Sequence, residues 1–385
     1  MEVAVLHAGL GGPSSYYDDW ADAFARAPGV RCRFASLRVP LPWRARRAIA
    51  RAELVVLLHG CLADTVDLLD PVTPALRSRR GRLVALMGNE LSTPWAPLGP
   101  RIDWLRRVEP TVVASQLPLA SARVLYRGHR VVSVPHALNP AAFVPCAREG
   151  RPIDLGARGF TYPPHVIDDQ RNRVLTVARR FATDRGWKQD IGTGERLDRR
   201  HWAAFLSRTA FAVSSEAGAE WVDTRDAAVR AVEPNAYAPR RSVAGQALRL
   251  VPYPAKARAY RALRPFGIRH AAMDAVGDDS LFARYRAVAR PPDAVSGKCI
   301  TARHLDAVGT RTVQILVQGA YNGVLERGAH YIETDADMTN ADEVDDTMRD
   351  ARRCERIADD ALDHVLSRHT VDHRVAELLN LAGTA

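Results

Sequence analysis

Val3-Ala4-Val5-Leu6-His7-Ala8-Gly9-Leu10-Gly11-Gly12 places an apolar run directly before three glycines in four residues. The run reads as a buried strand, and Tyr16–Arg26 behind it carries Trp20, Ala23 and Phe24 at helical spacing. Strand, tight glycine turn and helix in that order form the opening unit of a doubly wound parallel sheet. Glycines at a strand's C-terminal end let the backbone approach a ligand closely. The run does not match G-x-G-x-x-G, so Gly11 and Gly12 read either as one wall of a ligand crevice or as an ordinary tight turn.

The same alternation continues outward. Residues 54–59, 83–88, 111–115 and 131–134 read as further strands separated by amphipathic stretches. Pro135, Pro140, Pro145 and Pro152 then interrupt any period, which predicts a connector and a domain boundary near residue 150. Beyond it, strands are expected at 153–160, 211–214 and 313–317, with helices at 170–183, 201–207 and from about 300 to 308. The organisation is α/β: a domain of residues 1–150 and a second of 151–385. The second carries a mainly helical insertion at about 220–296 and one or two closing helices at about 341–385. Two such units joined by one linker face each other across a cleft, where chemistry is sought.

Composition narrows the function classes. The chain has 385 residues, 47% hydrophobic and 25% charged, enough for about two domain cores. No run approaches the roughly 20 apolar residues of a membrane helix, and Met1 leads straight into a strand without a basic leader. Five scattered cysteines form no C-x-x-C pair, which speaks against a zinc site or a disulfide framework and for reduced thiols in a cytoplasm. The formal charge of +10 comes from 51 arginines and only three lysines spread along the chain, so no specific nucleic-acid partner is expected. A positive field of this kind attracts a small anionic substrate.

Four segments offer chemistry at strand ends. Asn89 and Glu90 follow the strand at 83–88 and read either as donors and acceptors for sugar or acceptor hydroxyls or as a capped turn. Arg158, set between Gly156 and Gly159, offers a guanidinium suited to a diphosphate. Glu216, in Ser215-Glu216-Ala217-Gly218, reads either as a sugar ligand or as a first-turn helix residue behind a Ser215 cap. The most informative stretch is Lys298-Cys299-Ile300-Thr301-Ala302-Arg303-His304-Leu305-Asp306. There a helix N-terminus with Lys298 and Arg303 attracts phosphate and Asp306 can hold ribose hydroxyls; the competing reading is an ionic helix face.

Taken together, several segments resemble bacterial GT-B glycosyltransferases of the spore-maturation-protein-like and group 1 kinds. They are Val134-Pro135-His136-Ala137-Leu138-Asn139-Pro140, Ser215-Glu216-Ala217-Gly218, Arg303 to Thr310, Gly319-Ala320-Tyr321-Asn322, His330-Tyr331-Ile332, residues 340–344 and residues 369–374. The resemblance covers about residue 130 to the end. It implies two Rossmann-like domains facing a cleft, with the acceptor held by the first and a nucleotide-diphosphate sugar, UDP- or GDP-linked, by the second. It also implies no metal, no other cofactor, and retention of anomeric configuration without a protein nucleophile. On this resemblance the catalytic residues are Arg158, Lys298 and Glu216. Donor contacts fall to Gly218, Arg303, His304, Asp306, Gly309, Thr310, Tyr321 and Asn322, and the acceptor side to Gly11, Gly12, Asn89, Glu90 and His136. Asp306 stands where relatives carry glutamate. The usual first glutamate falls on Lys298, so either Lys298 has another role or Glu216 replaces that glutamate.

The expected activity is sugar transfer to an acceptor, a small metabolite or a glycan. A nucleotide-sugar epimerase and a silent nucleotide-sugar-binding protein are the rival readings.

Overall fold

A computed structural model of the protein describes residues 1–10, 16–38, 42–63, 66–94, 96–159, 161–193, 197–234 and 279–383. The first domain is a six-stranded parallel sheet in the order β2-β1-β3-β4-β5-β6. Its strands are β1 (Glu2–His7), β2 (Arg31–Ser36), β3 (Leu54–Leu57), β4 (Arg82–Leu86), β5 (Val112–Ser115) and β6 (Val131–Ser133). Strand alternation splits the core in two. Ala4 and Leu6 pack with α2 (Pro42–Arg51) and α4 (Leu98–Val108) on one face, while Val3 and Val5 pack with α1 (Tyr16–Arg26) on the other. Two short helices, α3 (Thr73–Arg77) and α5 (Leu119–Leu125), complete the layers.

The second domain holds a five-stranded parallel sheet in the order β11-β10-β9-β7-β8. It is built from β7 (Ile153–Gly159), β8 (Gln189–Thr193), β9 (Thr209–Ser214), β10 (Val313–Val317) and β11 (Ile332–Thr334). Helices α6 (Gln170–Arg185), α7 (Arg199–Ser207) and α10 (Ala302–Gly309) cover it, the order of each βα step being that of a Rossmann-like unit. The α10 start is set by Thr301, whose hydroxyl accepts from the Arg303 amide at 3.1 Å while His304 Nδ1 accepts from the Thr301 amide at 3.2 Å. That reciprocal cap, with histidine in the usual Glu/Gln position, begins the helix at Ala302.

Two expectations are amended. The tail forms three helices, α11 (Ala341–Arg349), α12 (Ala351–Arg368) and α13 (Val371–Gly383), rather than one or two. The last of them leaves the second domain: Val371, Val375 and Leu378 are buried with Trp20 and Phe24 in the first domain's core. Where it crosses, the Leu138 amide donates to His369 O at 2.9 Å and the Val371 amide to Leu138 O at 2.8 Å, so the linker and the return crossing run side by side. Of the insertion, residues 235–278 lie outside the described residues; its flanks α8 (Ala227–Val232) and α9 (Asp279–Arg286) pack together around Tyr285. No described helix is long and apolar enough to cross a membrane.

Candidate functional site

The C-terminal ends of the two sheets face one cavity, lined from the first domain by Asn89, Glu90, Leu91, Gln116, Leu117 and His136. From the second come Arg158, Gly159, Tyr162 and Arg171, then Gly218, Gly297 and Cys299, then the residues from Ile300 through Arg303 and Asp306. Two side chains bolt the halves together beside it. Asn322 donates through Nδ2 to Gln116 O at 2.9 Å and accepts the Ile300 amide on Oδ1 at 2.8 Å. Asp226 of the second domain accepts the Leu98 and Gly99 amides at 2.7 and 3.0 Å, capping α4 of the first.

The back wall is backbone against backbone. Ala217 and Cys299 form an antiparallel bridge, and a side chain on Gly218 has no room: its Cβ would stand 1.8 Å from Gly297 O, at a φ of +99°. Gly159 is less constrained: a Cβ there would meet Arg303 Nη1 at 2.8 Å, the tip of a side chain that can shift. The glycine spacing read from the sequence therefore reflects close approach around the cavity.

Asp306 is the side chain most telling for a ligand. It lines the cavity and is 4% exposed, its Oδ2 accepts from Trp202 Nε1 at 2.9 Å, and its Oδ1, shielded from solvent, has no hydrogen-bond partner among the described residues. Burial, reinforced by the nearby Asp19 carboxylate, holds its pKa well above the usual carboxylate range. A buried acceptor left without a donor costs about 1–3 kcal/mol, which a ligand hydroxyl at Oδ1 would recover.

Three guanidiniums line the same cavity: Arg158, Arg171 and Arg303. Arg158 is engaged on the far side, bridged to Asp190 and stacked 4.4 Å over the Phe205 ring. Arg171 is different. It lies in the first turn of α6, 4.2 Å over the Tyr162 ring, and among the described residues its one hydrogen bond is a long 3.4 Å contact to Ser215 O. No carboxylate forms a salt bridge with Arg171 among the described residues, so its charge is available to an anion in the cavity. In the sequence Arg171 is one of 51 arginines and stands in no motif that marks it out.

The other sequence-selected residues divide clearly. Lys298 sits beside the cavity, yet its ammonium turns away to Asp168 at 2.6 Å, with Gln170 Oε1 at 3.3 Å. Glu216 lies outside the cavity lining, accepting the Tyr321 amide at 2.8 Å, with its pKa raised by burial. Glu90 lines the cavity, but its carboxylate is taken by Ser115 Oγ, the Gln116 amide and Tyr126 OH at 2.6–2.7 Å. Its pKa too is raised by burial. The neighbouring Asn89 loop is held by Arg101, a fully buried guanidinium donating to the Leu62, Ala63 and Asn89 carbonyls at 2.9–3.0 Å. His136 lines the cavity stacked on His59 at 5.7 Å, and burial pulls its pKa down to about 4.

His304, Gly309, Thr310 and Tyr321 lie outside the cavity lining. His304 serves the α10 cap and burial lowers its pKa to about 3. Gly309 lets α10 press on the linker, since a Cβ there would meet Leu138 Cδ1 at 2.6 Å. Thr310 closes the helix through its hydroxyl to Ala307 O at 3.1 Å, and Tyr321 is buried with its amide on Glu216. Gly11 and Gly12 fall outside the described residues. Among the described residues no three His, Cys, Asp or Glu side chains gather as a metal site.

Comparison with known proteins agrees with this architecture. Anabaena HepE in complex with UDP-glucose superposes with a TM-score of 0.52 at 10% identity, covering 99% of both chains. The HepE complex with UDP and glucose gives 0.52 at 8% identity, again over 99% of both chains. A glycosyltransferase from Rickettsia africae gives 0.50 at 8% identity, over 99% of this chain and 97% of that one. No family model and no curated protein matches the sequence. The chain thus has the fold of these proteins, two Rossmann-like domains in the GT-B arrangement.

Proposed function

We propose that a chain with this fold and this cavity is a nucleotide-sugar-dependent glycosyltransferase, moving a sugar from a UDP- or GDP-linked donor to a hydroxyl of a small metabolite or glycan. The observation that carries the reading is Asp306 Oδ1, a buried acceptor without a donor, sharing one cavity with the unpaired Arg171. A nucleoside diphosphate fits both demands. Its ribose hydroxyls donate to Asp306, and its diphosphate takes charge-assisted hydrogen bonds from Arg171 and Arg303 near the α10 N-terminus. That HepE is found with UDP-glucose and with UDP and glucose supports a donor of this chemical class.

In the reaction, an acceptor hydroxyl bonds to the anomeric carbon as the bond to the diphosphate oxygen breaks, and the departing phosphate takes up the hydroxyl proton. Arginines facing the diphosphate stabilise the charge that develops there, the step at which preorganised cations matter most. The carboxylates that line the cavity among the described residues are Glu90 and Asp306, one saturated by three donors and the other held by Trp202. Neither is placed as a free nucleophile, which speaks against a glycosyl-enzyme intermediate; our reading is retention by same-face attack, with the diphosphate neutralised by guanidinium groups. The first domain, through the Asn89 loop and His136, forms the acceptor side, and the protein works in the cytoplasm.

Incubation with UDP-, GDP- and TDP-sugars and a set of hydroxyl acceptors tests this. Free nucleotide together with glycosylated acceptor supports transfer. An epimerised donor without transfer favours epimerase chemistry, and binding without turnover favours a silent binding protein. Absence of binding by any nucleotide overturns the proposal.

A further inference from the structure

Residues 28–52 contain no aspartate or glutamate, while Arg31, Arg33, Arg38, Arg44, Arg46, Arg47 and Arg51 fall within them. Arg31 and Arg33 are paired with Glu2. The remaining five have no carboxylate partner among the described residues, and Arg46 spends its donors on the Pro71 carbonyl. Helix α2 explains how this charge is displayed. Its Ala45, Ala48 and Ile49 are buried in the first domain's core, which turns Arg44, Arg47 and Arg51 outward at spacings of three and four, one stripe along the helix.

The end of α2 nearest the cleft adds an apolar component. In a parallel sheet the helix after β2 starts at the strands' C-terminal edge, the edge that faces the cavity. Trp43 stands there 50% exposed, with the Arg44 guanidinium 5.4 Å from its ring, and Leu10 on the loop after β1 is 38% exposed. Arg38 reaches over that loop, its Nε 3.7 Å from where a Gly9 side chain would begin. An exposed indole and leucine set among unpaired arginines suit the boundary between anionic headgroups and acyl chains.

We propose that this face of the first domain docks on an anionic membrane surface. The arginine stripe meets lipid phosphates, Trp43 and Leu10 enter the interface, and the acceptor side of the cleft is brought to the lipid plane. Docking itself is independent of the glycosyl-transfer reading; only the statement about the acceptor side rests on it.

The full-length protein is sedimented without nucleotide with vesicles of phosphatidylcholine alone and with vesicles containing phosphatidylglycerol. Binding is expected only to the phosphatidylglycerol vesicles, and is lost at high salt. Each exposed arginine near such a surface contributes about fivefold to partitioning. The variant with Arg44→Ala and Arg47→Ala together should therefore bind about 25-fold less, and Trp43→Ala should bind less with the salt dependence kept. All these residues are exposed, and unchanged circular dichroism melting confirms intact variants. Equal binding to both vesicle types, a double variant that binds as the parent does, or retention by heparin with no vesicle binding would overturn the proposal. The last result would point to a soluble polyanion. Loss of nucleotide binding in a separate titration leaves the vesicle result standing, so the two readings fail separately.

Discussion

Asp226 offers the sharpest test of how the two domains are held around the cleft. It stands at a φ of 56° where α8 begins, and its carboxylate accepts three hydrogen bonds from the other domain: Ser92 Oγ at 2.6 Å, the Leu98 amide at 2.7 Å and the Gly99 amide at 3.0 Å. Asp226→Ala removes an N-cap, worth about 1 kcal/mol, and leaves buried amides and a hydroxyl without an acceptor, a further 1–3 kcal/mol or so. Burial raises the pKa of Asp226, so part of that loss is offset by relief of a desolvated charge. The net expectation is about 2–3 kcal/mol for Ala and about 1 kcal/mol for Asp226→Asn, which keeps one carbonyl acceptor. Urea unfolding followed by both tryptophan fluorescence and far-ultraviolet circular dichroism reads the midpoint shift and shows whether the domains still unfold together. An Ala variant within about 0.5 kcal/mol of the parent, the range of an ordinary surface substitution, would refute the bolt.

Three further outcomes follow from the cavity geometry. Arg171→Ala should weaken nucleoside diphosphate binding about 10- to 100-fold, the loss of a charge-assisted contact, and lower the melting temperature through the lost stacking on Tyr162. Lys298→Ala should destabilise the fold by about 3–5 kcal/mol by leaving the buried Asp168 unpaired, as read by denaturant midpoint. Gly218→Ala should sharply reduce soluble folded yield, since the new Cβ would stand 1.8 Å from Gly297 O at a φ of +99°. Asp306 makes binding depend on pH. Its pKa is raised in the empty site, and ribose donors lower it, so binding expels a proton. Affinity measured by titration calorimetry should rise with pH up to the pKa of the empty site and then level off, and Asp306→Asn should flatten that slope.

The strands that stand out most in the sequence are those buried on both faces, though the partly exposed β6, β7 and β9 are legible as well. β1, β3, β4, β5 and β10 are apolar runs whose two sides face helices, and they stand out for that reason. Of the edge strands, β6 is legible as an apolar run at 131–134, but β2 and β8 are not. β2 is Arg31-Cys32-Arg33-Phe34-Ala35-Ser36 and β8 is Gln189-Asp190-Ile191-Gly192-Thr193; with one sheet neighbour and exposed side chains, neither carries a hydrophobic period. The return of α13 to the first domain was equally hidden, because an amphipathic helix shows its apolar stripe but not the partner that covers it.

At the site, Asp306 and the glycines were readable because helix start, helix stop and strand end fix their neighbourhood within a few residues. Arg171 and Trp202 were not, since their approach to Asp306 and Tyr162 depends on contacts across separate βα units. Lys298 and Glu216 were placed near the right loops, but which way a side chain turns is decided by partners such as Asp168 and the Tyr321 amide, far away in sequence.

The central claim, that Asp306 waits for a ribose, is tested most directly by calorimetric titration of UDP and GDP against their 2′-deoxy counterparts, in the parent protein and in Asp306→Ala. The parent is expected to bind one of the ribonucleotides more tightly than its 2′-deoxy form by about 5- to 10-fold, one net hydrogen bond, and the Ala variant to bind the two alike. Equal affinity for ribo and deoxy forms in the parent, or a preference that persists without Asp306, would contradict it.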